Sequence, residues 1–554
     1  MAPVHVQSGR MNAGANAAEF RRQYFEDEIW FNREKWRAYR RCEPWDDRPG
    51  HRVHLPGLTW AIVSQQNNWP RGAVWPGIQP GLPPVSSQPT GEGWAPAGAN
   101  SKKDDPTVPG KMRRVALKMD AGQSGLNFVR LLDWSGQAAI AIFDARVGND
   151  ADARTERFIV KARSSAADPR GEGTSRRALQ REKLFLKEYF GRSAHIIQLA
   201  QHHPRRSGSR RQGLRPRPQR AQPAAAADNV PDVLILEYLP RGDLDKFFST
   251  AGGEPRPRTP EPILWSMFGC LVRGLIALQN PPKQQARYAQ GWREDGPPIT
   301  EGTDGDDDFE TDIVHWDLDA RNVLLGDYEC GDEHDKHNIA PVLKITDLGW
   351  SRDMFQDRDP GLARDPYWLH LYSRRIGKTG WYAPEQFTEE WDYVGLLPDP
   401  NPGRLNHRVA GNYTGKMNIF QVGMIMYTAI TQCVPPDGAP WPQRMNFTTL
   451  PTPPGNYVRI INNAWTYGGH LDDAAYNSVS AELRELVKQC MCDDPAHRPD
   501  ARSLLQEILR HHRQRRPPRL TPNRMRAWAD RRINFPPPPQ YRSRRELDDV
   551  GFSN

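Results

Sequence analysis

Three side chains in two short segments have the types and the spacing that phosphoryl transfer requires. Asp317 and Asn322 lie five positions apart in IVHWDLDARNVLL (313–325), and Asp347 follows in VLKITDLGW (342–350). A carboxylate can accept a proton from an attacking hydroxyl group, while an amide oxygen and a second carboxylate are ligands that Mg²⁺ prefers. Because short apolar runs flank both segments, we expect strands that present these side chains on loops.

The two segments closely resemble the catalytic loop and the metal-binding turn of eukaryotic-type protein kinases, which read H-R-D-x-x-x-x-N and D-F-G. Here the loop reads HWD at 315–317 with Asn322, and the turn reads DLG at 347–349. Two later motifs of that family are also present, A-P-E at 383–385 and D-P-x-x-R-P at 494–499. The resemblance spans residues 125–512, and the motif sequences look most like those of Ser/Thr-kinase-like proteins of filamentous fungi.

The resemblance implies an enzyme that uses ATP and Mg²⁺ and phosphorylates protein hydroxyl groups, with Ser/Thr as the expected acceptor. Asp317 would be the catalytic base, and Asn322 and Asp347 would hold the Mg²⁺. Glu385 and Arg498 would form a buried ion pair with a structural role, since loss of one partner leaves the other as an uncompensated buried charge.

The resemblance also implies a nucleotide site in the strand-rich part of the chain. Lys161 ends the run RFIVK and would bind the α- and β-phosphates of ATP. It would also act in catalysis, together with Asp317, Asn322 and Asp347. Its partner would be Glu182 on a helix, with Glu188 as the alternative. The remaining nucleotide-binding residues would be Gly136 in the phosphate-covering loop, Ile140, Ile159 and Leu324 around the purine, Leu236 as the gatekeeper, Glu237 and Leu239 through their backbone groups, and Asp243 at the ribose.

Two departures from the family pattern affect phosphate binding. Asp133, Ser135 and Ala138 stand where the phosphate-covering loop of the family has glycines, which allow close backbone approach. Asp319 replaces the Lys that neutralises the γ-phosphate in Ser/Thr kinases. Unless another cation or Mg²⁺ compensates, we expect slow turnover, because a repulsion at ~4 Å replaces an attraction.

Two further departures affect the catalytic loop itself. Trp316 replaces an Arg that, in many kinases, binds the phosphorylated residue of the activation segment. Control by such phosphorylation is therefore disfavoured. Asn418 replaces a helix Asp that anchors the backbone of the loop. Its amide can accept the same hydrogen bonds without the assistance of a charge.

The order of the predicted elements is strands, one helix, strands and then mostly helices, which is typical of an α+β, two-lobed, protein-kinase-like fold with a small β-rich N-lobe and a large helical C-lobe. Strand-like runs occupy 128–132, 138–143, 157–162, 195–200 and 233–238, and helical patterns occupy 175–190, 263–279, 420–432 and 480–491. We expect an N-terminal extension at 1–124 (a helix at about 17–41, a Pro/Gly-rich stretch at 70–110), an N-lobe at 125–240, a C-lobe at 241–512 and an Arg/Pro-rich tail at 513–554, with insertions near 204–228, 281–311, 327–340 and 386–415.

The net charge of +8 comes from two Arg-rich segments. Residues 201–227 hold seven Arg and no acid, and residues 510–545 hold twelve Arg and one acid, while 301–312 hold seven acids. Acidic partners or nucleic acid are candidate ligands of the Arg-rich segments. No apolar run reaches the ~18 residues of a membrane span. We therefore expect an intracellular protein, cytoplasmic or nuclear.

Six cysteines are too few for a disulfide framework, and the C-x-C of Cys490 and Cys492 lacks partners at zinc spacing. Three functions remain open at this point: an active protein kinase, a kinase-fold scaffold that binds nucleotide and protein partners with little or no turnover, and a small-molecule phosphotransferase. The pair Glu385 and Arg498 belongs to the protein-kinase pattern and disfavours the third.

Overall fold

The computed structural model describes residues 126–134, 138–147, 154–163, 174–200, 233–248, 258–282, 298–301, 311–328, 337, 339–354, 373, 376–378, 381–387, 409–431, 443–450, 460–514 and 521–533. They fall into two compact units, one within Pro96–Gly191 and Ile197–Pro240, the other within Arg192–Ile196 and Arg241–Phe535. The predicted helix at 17–41, the stretch 70–110 and the Arg-rich segment 201–227 lie outside the described residues, as does Gly136.

Among its described residues, the smaller unit contains a four-stranded antiparallel sheet and one helix. The strands, in the spatial order β1-β2-β3-β4, are β1 (Leu126–Trp134), β2 (Ala138–Val147), β3 (Arg154–Arg163) and β4 (Val233–Glu237). Alternate residues of β2 and β3 point to the same face, so Ala141, Phe143 and Val160 share a buried core with Leu126. The helix α1 (Thr174–Glu188) packs against β3 and β4.

The run at 195–200 is a partial exception to the predicted strands. In the smaller unit, the Glu237 amide donates to the Gln198 carbonyl (3.1 Å) and the Ala200 amide donates to the Ile235 carbonyl (3.1 Å). This segment thus lies along β4, but it forms isolated bridges instead of a continuous strand.

The larger unit is mainly helical and is built on a buried apolar helix. The α-helices in its described residues are α2 (Leu244–Phe248), α3 (Glu261–Gln279), α4 (Pro384–Phe387), α5 (Lys416–Thr431), α6 (Ala481–Cys490), α7 (Ala501–Gln514) and α8 (Pro522–Ile533). Helix α3 has Pro262 in its first turn, where the missing amide hydrogen costs nothing, and it packs against α5 and α7. Among the described helices, only α3 is long and apolar enough to cross a bilayer, but most of it is buried in the protein core.

Short strands in the larger unit bring two segments of the chain together. Strand β5 (Ile313–Val314) pairs with β8 (Arg352–Asp353), and β6 (Val323–Leu325) pairs with β7 (Leu343–Ile345), both antiparallel. These pairs position the loop 315–322 beside the turn at 346–350, as the flanking apolar runs predict.

Three elements of the larger unit were not predicted, two strands and one helix. A hairpin-like pair of strands, β9 (Gln443–Thr448) and β10 (Ile460–Thr466), lies within the region that we expected to be helical. Helix α8 lies within the predicted Arg/Pro-rich tail, and its Met525 and Ala529 are buried.

Candidate active site

The loop at 315–322 is held by a side chain of α5. The Asn418 Oδ1 accepts a hydrogen bond from the His315 amide (2.9 Å), and its Nδ2 donates to the Ile313 carbonyl (2.8 Å). Asn418 is almost completely buried, so these bonds are shielded from water. The anchoring expected from an uncharged Asn is therefore present.

His315 connects the loop to the neighbouring turn. Its Nε2 lies 2.9 Å from the Thr346 carbonyl oxygen, and its Nδ1 accepts from the Asp317 amide at 3.3 Å. Burial lowers the pKa of His315 to about 4, although the Thr346 carbonyl opposes this shift. The ring is therefore neutral near pH 7, as an accepting Nδ1 requires.

Asp317 keeps one carboxylate oxygen available. The Asn322 Nδ2 donates to the Asp317 carbonyl (2.6 Å) and to its Oδ2 (3.2 Å). The Oδ1 is buried and has no hydrogen-bond partner among the described residues. A buried acceptor of this kind suits a base that receives a proton from a bound hydroxyl group.

Asp347 stands in a constrained backbone conformation next to this loop. Its φ of 61° lies in the left-handed region, which non-glycine residues adopt mainly where the surrounding structure enforces it. The Thr346 amide donates to the Asn322 carbonyl (2.9 Å), which fixes the turn against the loop. With its amide nitrogen turned to Asp317, Asn322 leaves an amide oxygen, and Asp347 adds a carboxylate. This oxygen donor set fits Mg²⁺.

Lys378 is a candidate functional residue that the sequence analysis did not predict. Its Nζ lies 2.6 Å from the Asp319 Oδ2 and 3.2 Å from the Asp317 Oδ2. It supplies the cation that the replacement of Lys by Asp319 removes from the loop. The sequence feature that could have indicated its role is its position just before the W-Y-A-P-E segment. Sequence spacing does not show which acidic residue it contacts.

Gly377 allows this approach. Its φ is 103°, and a Cβ at this position would overlap the Trp316 carbonyl oxygen. Trp316 is itself buried and packs edge-to-face on Tyr413, with ring centroids 4.7 Å apart. The residue that replaces the family Arg is thus part of the core.

Asp319 has a structural role in addition to its pair with Lys378. Its Oδ1 accepts hydrogen bonds from the Arg321 and Asn322 amides (2.8 and 3.2 Å), which caps the short turn Ala320–Asn322. The Arg321 guanidinium also reaches the Asp319 Oδ2 at 3.3 Å. Two cations therefore contact this buried carboxylate.

The acidity of Asp317 reflects competing influences. Burial raises the pKa of Asp317 to about 6, with Asp319 and Asp347 acting in the same direction and Lys378 opposing them. Burial lowers the pKa of Lys378, but the carboxylates of Asp317 and Asp319 raise it, and the net shift is upward. A base with a pKa near 6 is largely ionised at pH 7 and still accepts protons.

In the smaller unit, Lys161 forms the predicted ion pair with Glu182. The Nζ lies 2.7 Å from the Glu182 Oε2, and both side chains are buried, which settles the choice between Glu182 and Glu188. Lys161 is opposite Ile140 on β2 and Leu234 on β4.

The other predicted nucleotide-binding residues divide between the two units. Leu236 is buried on β4 opposite Ile159, and Glu237, Leu239, Ile140 and Ile159 are partly buried in the smaller unit. Glu237 also accepts a hydrogen bond from the Gln198 amide (2.8 Å). In the larger unit, Leu324 is partly buried and forms a bridge with Asp243.

The predicted ion pair between Glu385 and Arg498 is confirmed. It is bidentate, with nitrogen to oxygen distances of 2.6 and 2.9 Å, and both side chains are fully buried. The Arg498 Nε donates to the Cys492 carbonyl at 2.8 Å. The pair fixes the end of the 381–387 segment to the loop before α7.

Comparisons with known proteins point to the same family as the sequence motifs. Residues 309–510 match the model of the protein kinase domain family. The chain is also similar to tyrosine protein-kinase src-1 of Caenorhabditis elegans, with 27% identity over 126 residues, which is 22% of this chain and 16% of that relative. These findings show a protein kinase domain at residues 309–510, and the α+β, two-lobed fold class predicted from the sequence is confirmed.

Proposed function

We propose that this chain, which carries a protein kinase domain, transfers the γ-phosphoryl group of ATP to the hydroxyl groups of serine and threonine residues in proteins. The family match supports phosphoryl transfer to proteins with ATP as the donor. The choice of Ser/Thr, the use of Mg²⁺ and the roles of single residues are parts of the proposal.

The observation that carries the proposal is the state of Asp317. Its backbone is fixed by His315 and Asn322, its Oδ2 is bound, and its Oδ1 is buried and available among the described residues. In this proposal Oδ1 accepts the proton of the substrate hydroxyl as that oxygen attacks phosphorus.

The proposed roles of the other residues follow from their contacts. Asn322 and Asp347 would hold Mg²⁺, which neutralises phosphate charge when it is bound. Lys378 keeps Asp317 ionised and balances Asp319. In the smaller unit, Glu182 orients the Lys161 ammonium group, which would contact the phosphates.

The Ser/Thr acceptor rests on the wording of the motifs, while the relative from Caenorhabditis elegans is named a tyrosine kinase. Phosphoamino-acid analysis of a phosphorylated mixed protein substrate separates the two. We expect phosphoserine and phosphothreonine; labelled phosphotyrosine alone would contradict the Ser/Thr choice and leave the kinase proposal intact.

A scaffold with little or no turnover is the second candidate function. It is favoured by the direct contact between Lys378 and Asp317, in which the ammonium group binds one carboxylate oxygen of the proposed base. It is also favoured by the non-glycine residues at 133, 135 and 138, where the family has glycines. Such a scaffold would bind nucleotide and protein partners through the same fold.

The deciding experiment measures ³²P transfer from ATP and Mg²⁺ to generic protein substrates. Wild type is compared with Asp317→Ala and Asp347→Asn, and nucleotide binding is followed as a thermal shift. We expect label with wild type and a loss of at least 100-fold in both variants. If wild type transfers no more label than the variants but is stabilised by nucleotide, the scaffold proposal replaces the enzyme proposal.

Nucleotide binding has its own control. Lys161→Met is expected to abolish the ATP-dependent thermal shift, because the ammonium group that contacts the phosphates is absent. Absence of a shift in wild type would contradict both nucleotide-based functions.

The location and the partners of the Arg-rich segments are also proposals. We propose a cytoplasmic or nuclear protein in which the Arg-rich residues near the end of the chain bind acidic partners. Removal of 513–554 takes away eleven of the twelve arginines of 510–545 and tests this idea. An unchanged cellular distribution after this deletion would eliminate a targeting role for these residues.

A further inference from the structure

Three buried side chains of types that bind transition metals meet in the larger unit. They are His195, Cys270 and His337, and their ligand atoms all lie within 4.8 Å of one another. Cys270 belongs to α3, whereas His195 and His337 lie in loops, 75 residues before it and 67 residues after it. The fold therefore assembles this cluster from distant segments.

The separation of the ligand atoms fits tetrahedral zinc. The Cys270 Sγ lies 3.5 Å from Nδ1 and 3.9 Å from Nε2 of His337. Zinc bonds of ~2.3 Å to sulfur and ~2.0 Å to nitrogen at a tetrahedral angle place the two ligand atoms about 3.6 Å apart. The two imidazole rings are 5.7 Å apart between centroids and inclined by 62°, and a nitrogen of each lies within 4.8 Å of the other ligand atoms.

A carboxylate orients one of the histidines. The Glu301 Oε2 lies 2.5 Å from the His195 Nδ1, and the Ser193 hydroxyl contacts the other oxygen of Glu301. All three side chains are buried. A metal-binding histidine almost always has its second ring nitrogen hydrogen-bonded in this manner.

The opposite nitrogen of His195 is the second, independent observation. The His195 Nε2 is buried and makes no hydrogen bond of normal distance and angle among the described residues, although the Cys270 side chain lies next to it. With Glu301 on Nδ1, this nitrogen is directed into the cluster that contains Cys270. A buried polar atom of this kind needs a partner.

We propose that the His195 Nε2, the Cys270 Sγ and a ring nitrogen of His337 bind one zinc ion. A thiolate with two imidazoles selects zinc over Mg²⁺ or Ca²⁺, which prefer oxygen ligands. These three ligands leave one position of the tetrahedral shell for a fourth group. The proposal does not depend on the proposed kinase activity.

The consequence of such a site is structural. The Ile345 amide donates to the His195 carbonyl at 2.9 Å, and Ile345 lies two residues before Asp347. A metal that joins His195 to α3 therefore fixes the strand that directly precedes the proposed Mg²⁺ ligand Asp347. Metal binding to such a buried site also stabilises the fold, because the unfolded chain does not hold the ligands together.

The first test is the metal content of the full chain, purified without chelators and measured by inductively coupled plasma mass spectrometry. We expect about one zinc per chain in wild type and loss of at least 80% of it in Cys270→Ser and in His337→Ala. Cys490→Ser is the matched control, because Cys490 is also a buried free thiol but lies outside the cluster; it should retain the zinc.

The second test uses wild type alone, so it does not depend on the folding of a variant. Cobalt(II) is exchanged into the protein after removal of zinc. We expect thiolate-to-cobalt charge-transfer absorption, the strong visible absorption of tetrahedral cobalt and a rise in the melting temperature. Wild type that retains no zinc above background, even after incubation with zinc, and shows no cobalt–thiolate band would overturn the proposal.

Discussion

At the scale of single residues, two neighbouring carboxylates share one ammonium group. Asp319 is buried and Asp317 is partly buried, and Lys378 contacts both of them from a different segment. The Arg321 guanidinium adds a weaker contact to Asp319. The acidity of Asp317 therefore depends on a residue outside the catalytic loop.

Replacing Lys378 tests this dependence. Lys378→Met should lower kcat by about 10- to 100-fold, which corresponds to roughly 1.4–2.7 kcal/mol of transition-state stabilisation. Lys378→Arg preserves the charge and should retain most of the activity. Lys378→Met activity equal to that of wild type in steady-state assays would show that Asp317 does not need the cation.

The pH dependence of kcat/KM should report the raised pKa of Asp317. Because the pKa is raised to about 6, the protonated and inactive carboxyl accumulates as the pH falls through 6, so kcat/KM should rise with pH up to about 7. Lys378 lowers this pKa, so Lys378→Met should move the midpoint to higher pH. A midpoint that moves down, or stays fixed, contradicts the assigned influence.

The motif positions of the site could be predicted from residue types and their spacing alone. Asp317, Asn322 and Asp347 are recognisable because their spacing is set by local backbone geometry. Lys378 was not predictable in its role, because its contact with Asp319 joins segments 59 residues apart and depends on the backbone at Gly377. The sequence did show that a cation was needed.

At the scale of elements, helix α8 turns part of an Arg-rich tail into a packed structure. Its Trp528 packs edge-to-face on Phe247 of α2 at 5.9 Å, and its Asp530 accepts a hydrogen bond from the Tyr328 hydroxyl at 2.5 Å. The Tyr328 ring also lies 4.7 Å from the Arg526 guanidinium and 5.0 Å from that of Arg241. Some of the arginines therefore contribute to the stability of the larger unit.

Truncation separates the packed helix from the residues after it. A chain ending at 514 lacks α8 and should lose about 2–4 kcal/mol of unfolding free energy, because it exposes surface covered by Met525 and Ala529. A chain ending at 533 should match the full chain in urea denaturation. Equal stabilities of both truncations would show that α8 contributes no net packing energy.

Elements differed in how well their sequence patterns predicted them. The helices at 263–279 and 480–491 were predicted because their apolar patterns span several turns. Strands β9 and β10 were missed, since their short, partly exposed segments carry little periodic signal. The His195 cluster was also missed, because Cys270 is an ordinary apolar residue in a helical pattern and its partners come from loops.

At the scale of the whole molecule, one buried ion pair joins segments 113 residues apart. Glu385 and Arg498 are both fully buried, and Arg498 also donates to backbone carbonyls, including that of Lys416 at the start of α5. Its guanidinium lies 4.9 Å from the centroid of the Phe420 ring. Long-range order in the larger unit therefore depends on this charge.

Glu385→Ala should reduce the free energy of unfolding by about 3–5 kcal/mol, because Arg498 would remain as an uncompensated buried charge. Glu507→Ala is the control, since Glu507 pairs with the exposed Arg510 and should cost less than about 1 kcal/mol. Urea denaturation with a common slope measures both. Similar losses for the two variants would contradict a special role of the buried pair.

The position of Lys378 has a consequence for regulation. The positive charge beside the base is carried by the segment that precedes W-Y-A-P-E, not by the loop that carries the base. A movement of that segment away from Asp317 therefore changes proton affinity without moving any atom of the base. Substrates or partner proteins that hold this segment in place would control the protonation equilibrium of Asp317. This control would not require a phosphorylated residue to contact position 316.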